Sequence, residues 1–341
     1  MTYNTYQEDK QLIAKFRAAL YDCDAGALLG QLREVFAPDC TVRLTTPFED
    51  LAGPDALFEI GYRPLLAAIP DLERRDFIVM AGKAGEDAWV GCAGHYLGVF
   101  EGPWLDIPPT RQAVAMRYHE FFRVVDGRVA EMHAVWDIPQ LMMQANAWPM
   151  TPSLGVNWLA PGPATQDGIA ERPYDPAKTE ASLTLVRDML TDMGKHPRQG
   201  GPEIMQLERY WHPKMNWYGP AGIGTARGIA AFRRQHQIPF LKALPDRRAI
   251  LSGKGVIFGD GDYVATTGFP NMQMTVTGDG WLGIAPGNQA ITIRSLDFWR
   301  CANGLIRENW VLVDLLHVYS QLGVDVFSRM REVTYARQPR G

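Results

Sequence analysis

Apolar residues recur at helical spacing from the start of the chain. Leu12, Ile13, Phe16, Leu20 and Tyr21 form one stripe across Gln7 to Cys23, and Ala27 to Phe36 resumes it after a break at Asp24 to Gly26. Thr41 to Thr46 reads as a short strand, and Gly53 opens a further helical segment with Leu57, Ile60, Leu65 and Leu66 on its apolar side and Pro70 at its end. Beyond Pro70 the period changes from helix to strand. Asp71 to Ala81, Ala88 to Phe100, Gln112 to Val124 and Arg128 to Trp136 are rich in β-branched and aromatic residues, with Asp126-Gly127 predicting a tight hairpin turn between the last two. Asp137 follows, at the position expected for the N-cap of a short helix.

The whole pattern then returns. Trp104 to Gln144 lies over Trp281 to Gln321 without a gap, pairing Pro109 with Pro286, Arg117 with Arg294, Arg123 with Arg300, Gly127 with Gly304, Glu131 with Glu308 and Asp137 with Asp314. Upstream, Gly53, Pro64 and Pro70-Asp71 match Gly228, Pro239 and Pro245-Asp246 in a register that differs by a small indel. A repeat this long is a duplicated domain and not a solenoid unit, whose period runs about 20 to 50 residues. The expected organisation is a first domain over 1–148, a Pro/Gly-rich linker over 149–176 and a second domain over 177–335. Trp158 and Leu159 in the linker are apolar enough to dock on a surface.

Composition narrows the class. Hydrophobic residues make up 46% and charged residues 21% of the 341, which fits globular domains and neither disorder nor a membrane protein. No run of 18 apolar residues occurs, and the opening MTYNTYQEDKQ has neither the basic nor the apolar region of a secretory signal. Cys23, Cys40, Cys92 and Cys301 lack metal or disulfide spacing, so a cytoplasmic location with reduced thiols is expected. The net charge of -4, with Lys and Arg scattered, gives no footprint for nucleic acid.

Helices followed by a bent antiparallel sheet resemble the α+β cone of nuclear transport factor 2, ketosteroid isomerase, scytalone dehydratase and the SnoaL-like polyketide cyclases. The last is the nearest resemblance: its members end with a D-G or N-G turn, a strand reading G-K-I-x-E-x-W, an acid, and a helix finishing Q-L-G. The second copy reads Gly304-Leu305-Ile306-Arg307-Glu308-Asn309-Trp310, then Asp314, then Gln321-Leu322-Gly323. The first reads Gly127-Arg128-Val129-Ala130-Glu131-Met132-His133, then Asp137 and Gln144, with Ala145-Asn146 in place of Leu-Gly. The resemblance implies two tandem cone-shaped domains, each of N-terminal helices packed on a strongly curved, mostly antiparallel sheet, whose open end takes a small hydrophobic ligand without metal or other cofactor. It also implies an acid on the closing strand that drives intramolecular aldol condensation. Members often read E-x-W-D-x-x-D, whereas the position after the Trp site is Val311 in one copy and Ala134 in the other.

Candidate replacements come from the preceding strand, where Glu120 and Asp297 are acids at matched positions in otherwise apolar runs. A two-residue hairpin turn would set Glu120 opposite His133 and Asp297 opposite Trp310; a three-residue turn with a bulge would set His119 opposite His133 and Asp297 opposite Asn309. In the enzyme reading Glu120 and Asp297 are the acid/base groups, His119 and His133 orient or polarise, and Arg117 and Arg294 stabilise oxyanion charge. Tyr118, Trp217, Asn309 and Trp310 would contact the ligand. The blander reading puts both acids on the outer face, paired with Arg117 and Arg294 or with another subunit. Asp137 and Asp314 are acids at the cone mouth or, with less assumption, helix caps. His95, His119 and His133 fall on neighbouring strands, but without metal-site spacing, and no metal is expected.

Two functions remain open from the sequence. One is a cofactor-free enzyme acting on a small hydrophobic carbonyl compound by aldol cyclisation, isomerisation, hydration or hydrolysis, and the other is a non-catalytic ligand-binding or scaffold protein that has lost the family's acid. Relatives pair through their sheets, so the two copies are expected to form an internal pseudo-dimer, monomeric in solution or dimerising as such.

Overall fold

In a computed structural model, the described residues are 5–169, 173–250 and 255–337; residues 1–4 and 170–172, which belong to the expected first domain and linker, lie outside them. The first half begins with helices Thr5–Tyr21 and Ala25–Val35, whose Ile13, Phe16, Leu28 and Leu32 are fully buried, as their spacing predicts. Asp24 accepts a hydrogen bond from the Ala27 amide and caps the second helix. Strands β1 (Phe36–Leu44) and β2 (Glu49–Ala52) follow, and a helical stretch from Gly53 to Ala68 winds as a π-turn over Leu57–Tyr62. Gly53 has φ 78°, and a Cβ there would lie 2.6 Å from the Pro38 carbonyl oxygen, so this corner needs glycine. The long strands β3 (Glu73–Ala84), β4 (Asp87–Val99), β5 (Ala113–Val125) and β6 (Arg128–Trp136) complete a sheet of order β2-β1-β6-β5-β4-β3, antiparallel except where β1 pairs with β6.

The second half repeats this plan. Helix Pro176–Met193, capped by Asp175, leads to β7 (Trp211–Tyr218) and β8 (Thr225–Arg227), then to helical turns from Gly228 to Ala243 with a π-turn at Arg233–Gln237. Short strands β9 (Arg248–Ala249) and β10 (Val256–Asp260) share the place that β3 fills alone, both pairing with β11 (Tyr263–Thr275). Strands β12 (Ala290–Ala302) and β13 (Leu305–Val313) close the sheet, and helices Leu315–Gln321 and Val326–Arg337 end the described chain. The architecture is α+β, two curved sheets each preceded by helices. Among the described residues no helix is long and apolar enough to cross a membrane.

The hairpin turns are two-residue turns with positive φ at both centres, 50° and 71° at Asp126-Gly127 and 53° and 74° at Asn303-Gly304. A bulge then adds one residue to β6 and to β13, so Glu120 faces Ala134, Phe121 faces His133, and Asp297 faces Val311. Neither cross-strand pairing expected from the sequence forms. The turn length is as predicted, but the extra residues Ala130 and Arg307 advance the register by one.

Alternation along β5 and β12 points Tyr118, Glu120 and Phe122, or Ser295, Asp297 and Trp299, into their own cones, and the intervening residues outward. The outward faces pack against each other through Phe121, Val135, Leu296, Phe298, Trp310 and Leu312. His119 Nδ1 lies 2.8 Å from the carbonyl oxygen of Leu296, its counterpart in the repeat, and the rings of the counterparts Phe121 and Phe298 are 5.0 Å apart. Contacts between equivalent residues place a pseudo-two-fold axis between the sheets. The inter-copy segment is pinned to this junction: Gly168 accepts a hydrogen bond from the Val79 amide, and Pro161 one from Trp310 Nε1 at 2.8 Å.

Candidate active site in the second cone

The two cones have different interiors. In the first, Arg74 on β3 is fully buried and donates to Glu120 Oε2 at 2.6 Å and to Asp76 Oδ1 at 3.0 Å. Glu120 Oε1 accepts from Tyr96 Oη at 2.7 Å and from Trp136 Nε1 at 3.1 Å, while Tyr118 Oη donates to Asp76 at 2.8 Å and its ring lies 4.2 Å from the Arg74 guanidinium carbon. The two cations Arg74 and Arg17 hold the Asp76 carboxyl below its ordinary value despite burial. Both carboxylate oxygens of Glu120 are thus engaged by buried side chains of its own cone.

The second cone is hollow. A cavity of about 430 Å³ is walled by Trp211, Trp217, Phe232, Phe240, Trp281 and Trp299, with Asp297, Asn309, Ser295, Asn271 and His236 supplying polar groups. The registers explain the difference. Tyr96 pairs with both Arg74 and Met116, and Met272 pairs with both Ala249 and Ile293, the counterpart of Met116, so Ala249 stands where Arg74 stands in the first copy. An alanine methyl in place of a guanidinium leaves room in the cone, and among the described residues Asp297 has no cation partner. Burial pushes the Asp297 carboxyl up to about 7, against the lowering influence of neighbouring Asn309 and Ser295.

His236, which the sequence reading did not single out, lies flat on Trp217 with centroids 4.2 Å apart and planes 14° from parallel. It makes no hydrogen bond to another described residue, and burial lowers it to about 3, so it is a neutral imidazole. A signal for it existed: Phe232, His236 and Phe240 share one helical face at i, i+4 and i+8, a histidine inside an aromatic stripe. The matched residue of the first copy is Gly61.

The remaining candidates lie between the domains or in the filled cone. His119 and His133 are on the outer sheet face, His133 between Thr267 Oγ1 at 3.0 Å and Glu131 Oε1 at 2.9 Å. Arg117 donates to the carbonyl oxygens of Tyr218, Gly219 and Val311 in the other half. Asp137 accepts from the Ala221 amide at 3.0 Å, and Asp314 from the Thr46 amide at 2.9 Å as well as capping its helix at His317. Arg294 binds Asp314 and Glu49, and Trp310 stacks on Tyr218 with centroids 5.4 Å apart. Of the sequence candidates, Asp297, Asn309 and Trp217 share the cavity wall; Glu120 and Tyr118 share the filled cone. Among the described residues no cluster of three His, Cys, Asp or Glu side chains could hold a metal ion.

The family model described as SnoaL-like polyketide cyclase matches residues 14–145 and 202–322. Among solved structures, a SnoaL-like protein from Jannaschia sp. CCS1 is 20% identical over 40% of this chain and 91% of its own, with a TM-score of 0.36. AclR from Streptomyces galilaeus is 23% identical over 42% of this chain and 98% of its own, TM-score 0.34, and IdmH from Streptomyces antibioticus is 21% identical over 40% and 98%, TM-score 0.34. No curated protein matches the chain.

Proposed function

The chain belongs to the SnoaL-like polyketide cyclase family, and from that premise we propose that its second cone alone is an active site, which performs cofactor-free acid/base chemistry on a small hydrophobic carbonyl compound. The observation that carries this reading is the Asp297 carboxyl, set in an aromatic cavity with no cation beside it among the described residues, while its counterpart Glu120 is bonded to Arg74. A carboxyl near neutrality is ionised often enough to take a proton and protonated often enough to return it. Asp297 removes a proton from the carbon next to the carbonyl, and the C–H electron pair becomes the enolate. Attack of that enolate on a second carbonyl of the same molecule forms the new C–C bond, and the Asp297 proton ends on the resulting alkoxide. In this reading neutral His236 hydrogen-bonds the carbonyl oxygen, and Asn309 holds the carboxyl's orientation.

The test is exchange of substrate α-protons with D2O, followed by NMR, across a panel of cyclisable diketones. Asp297→Asn is expected to lose on the order of 10² or more in exchange rate with no loss of thermal stability; exchange as fast as in the parent would remove Asp297 from the mechanism. His236→Phe, which keeps the stack on Trp217, is expected to cost about 10² in kcat with little change in KM. A second reading, a ligand carrier, is favoured by Val311, which lines the cavity where family members often carry an acid after the Trp. Tight binding of the panel with no exchange in the parent protein would select it.

A further inference from the structure

The rim of the second cavity is cationic, and among the described residues its charges form no ion pair. Arg198 and Arg248 are exposed at the rim, and Arg247 is half-buried between them and the interior. Arg247 donates only to neutral acceptors, His196 Nδ1 at 3.1 Å and the Met193 carbonyl at 2.9 Å, and desolvation brings its guanidinium down to about 10. Arg248 reaches Gln273 Oε1 at 3.4 Å. Among the described residues none of the three forms an ion pair, and the sole carboxylate in the lining is Asp297. Nearby Asp246 lies within the field of Arg248 but accepts hydrogen bonds from the Thr275 amide and hydroxyl, both at 2.7 Å. Three guanidinium groups gathered at one opening of a chain with net charge -4 are a local inversion of sign.

The internal repeat supplies a control. The counterparts of Arg247 and Arg248 in the filled cone are Leu72, fully buried, and Glu73, which pairs with Arg75 at 3.0 Å. The arginines therefore accompany the hollow cone and are not a requirement of the fold.

We propose that the ligand of the second cone is amphipathic: its hydrophobic body fills the aromatic interior, and an anionic oxygen group, carboxylate or phosphate, is held at the rim by Arg198, Arg247 and Arg248. Planar guanidinium groups suit such oxyanions because two N–H donors meet two oxygens at once. This inference rests on the second cone being the ligand site, and it adds which molecules that site selects.

Binding of 2-naphthoate, 2-naphthyl phosphate and the methyl ester of 2-naphthoate, followed by quenching of tryptophan fluorescence, tests it on the full chain. At least one anion is expected to bind about tenfold or more tighter than the ester, with the preference shrinking at high salt. Arg247→Gln is expected to erase the preference while leaving the ester's affinity in place; the double variant Arg198→Gln/Arg248→Gln, at exposed positions, is expected to reduce it without any question of folding. Whichever anion wins identifies the group. Equal binding of ester and both anions, a preference that survives all three substitutions, or no binding of any probe would overturn the proposal. Asp297→Asn is expected to keep the anion preference, so failure of the catalytic reading and failure of this one are seen in different measurements.

Discussion

Glu120 and Asp297 show how one position in a duplicated chain acquires two chemistries. Both are acids on the inner face of matched strands, yet one is bonded to a guanidinium 2.6 Å away, while the other has no such partner among the described residues and burial raises it to about 7. The pH dependence follows with a definite sign. Burial favours protonated Asp297, raising its folded value from an ordinary 3.8 to about 7, so the stability it contributes is present at acid pH and is lost as pH rises through that range. Thermal melts of Asp297→Asn are therefore expected to gain on the parent at pH 8 and not at pH 4. Turnover has the opposite slope: the base works ionised, so kcat/KM is expected to rise through about 7 and then level off. At Glu120 the same kind of substitution is structural. Glu120→Gln leaves Arg74 with Asp76 but facing a neutral amide, and is expected to cost about 1 to 3 kcal/mol in denaturant unfolding, with α-proton exchange in the second cone intact.

At the scale of elements, the decisive feature is the strand that carries Arg74 in one copy and Ala249 in the other. Ala249→Arg is expected to let a guanidinium reach Asp297 as Arg74 reaches Glu120, to weaken ligand binding by at least about tenfold, and to pull the Asp297 carboxyl back toward its ordinary range; calorimetry and the pH profile would check both effects. Elements were largely legible beforehand. The helical stripes, the D-G and N-G turns and the repeat itself are local patterns, and they placed every long strand of the first sheet within a few residues. Register was not legible, because the bulge at Ala130 and Arg307 has no glycine or proline to mark it. Which acid is free was not legible either. An arginine in a strand reads as an outward residue, and only the pairing of β3 with β4 shows Arg74 turning inward to fill the cone. His119, His133 and Arg117 read as chemistry because they are polar residues in apolar strands; polar residues at a sheet-to-sheet junction give the same pattern.

For the whole molecule, the junction between the sheets is the part most dependent on both copies being present. Phe121, Phe298, Trp310 and Leu312 would be bare in an isolated half, together with the unpaired donors of Arg117. Each half expressed alone is expected to self-associate or precipitate, and mixing the two is expected to restore a one-to-one complex by light scattering; soluble, monodisperse, monomeric halves would contradict an essential junction. The intact chain is expected to be a monomer or a dimer of such pairs.

The pseudo-two-fold axis has an evolutionary consequence. In a dimer of identical subunits every substitution strikes both sites together, so a residue that fills one cone fills the other and extinguishes the activity. Covalent tandem copies escape that constraint. Here Leu72, Glu73 and Arg74 stand at the places of Arg247, Arg248 and Ala249, so one cone holds a buried ion-pair network where the other holds a cavity.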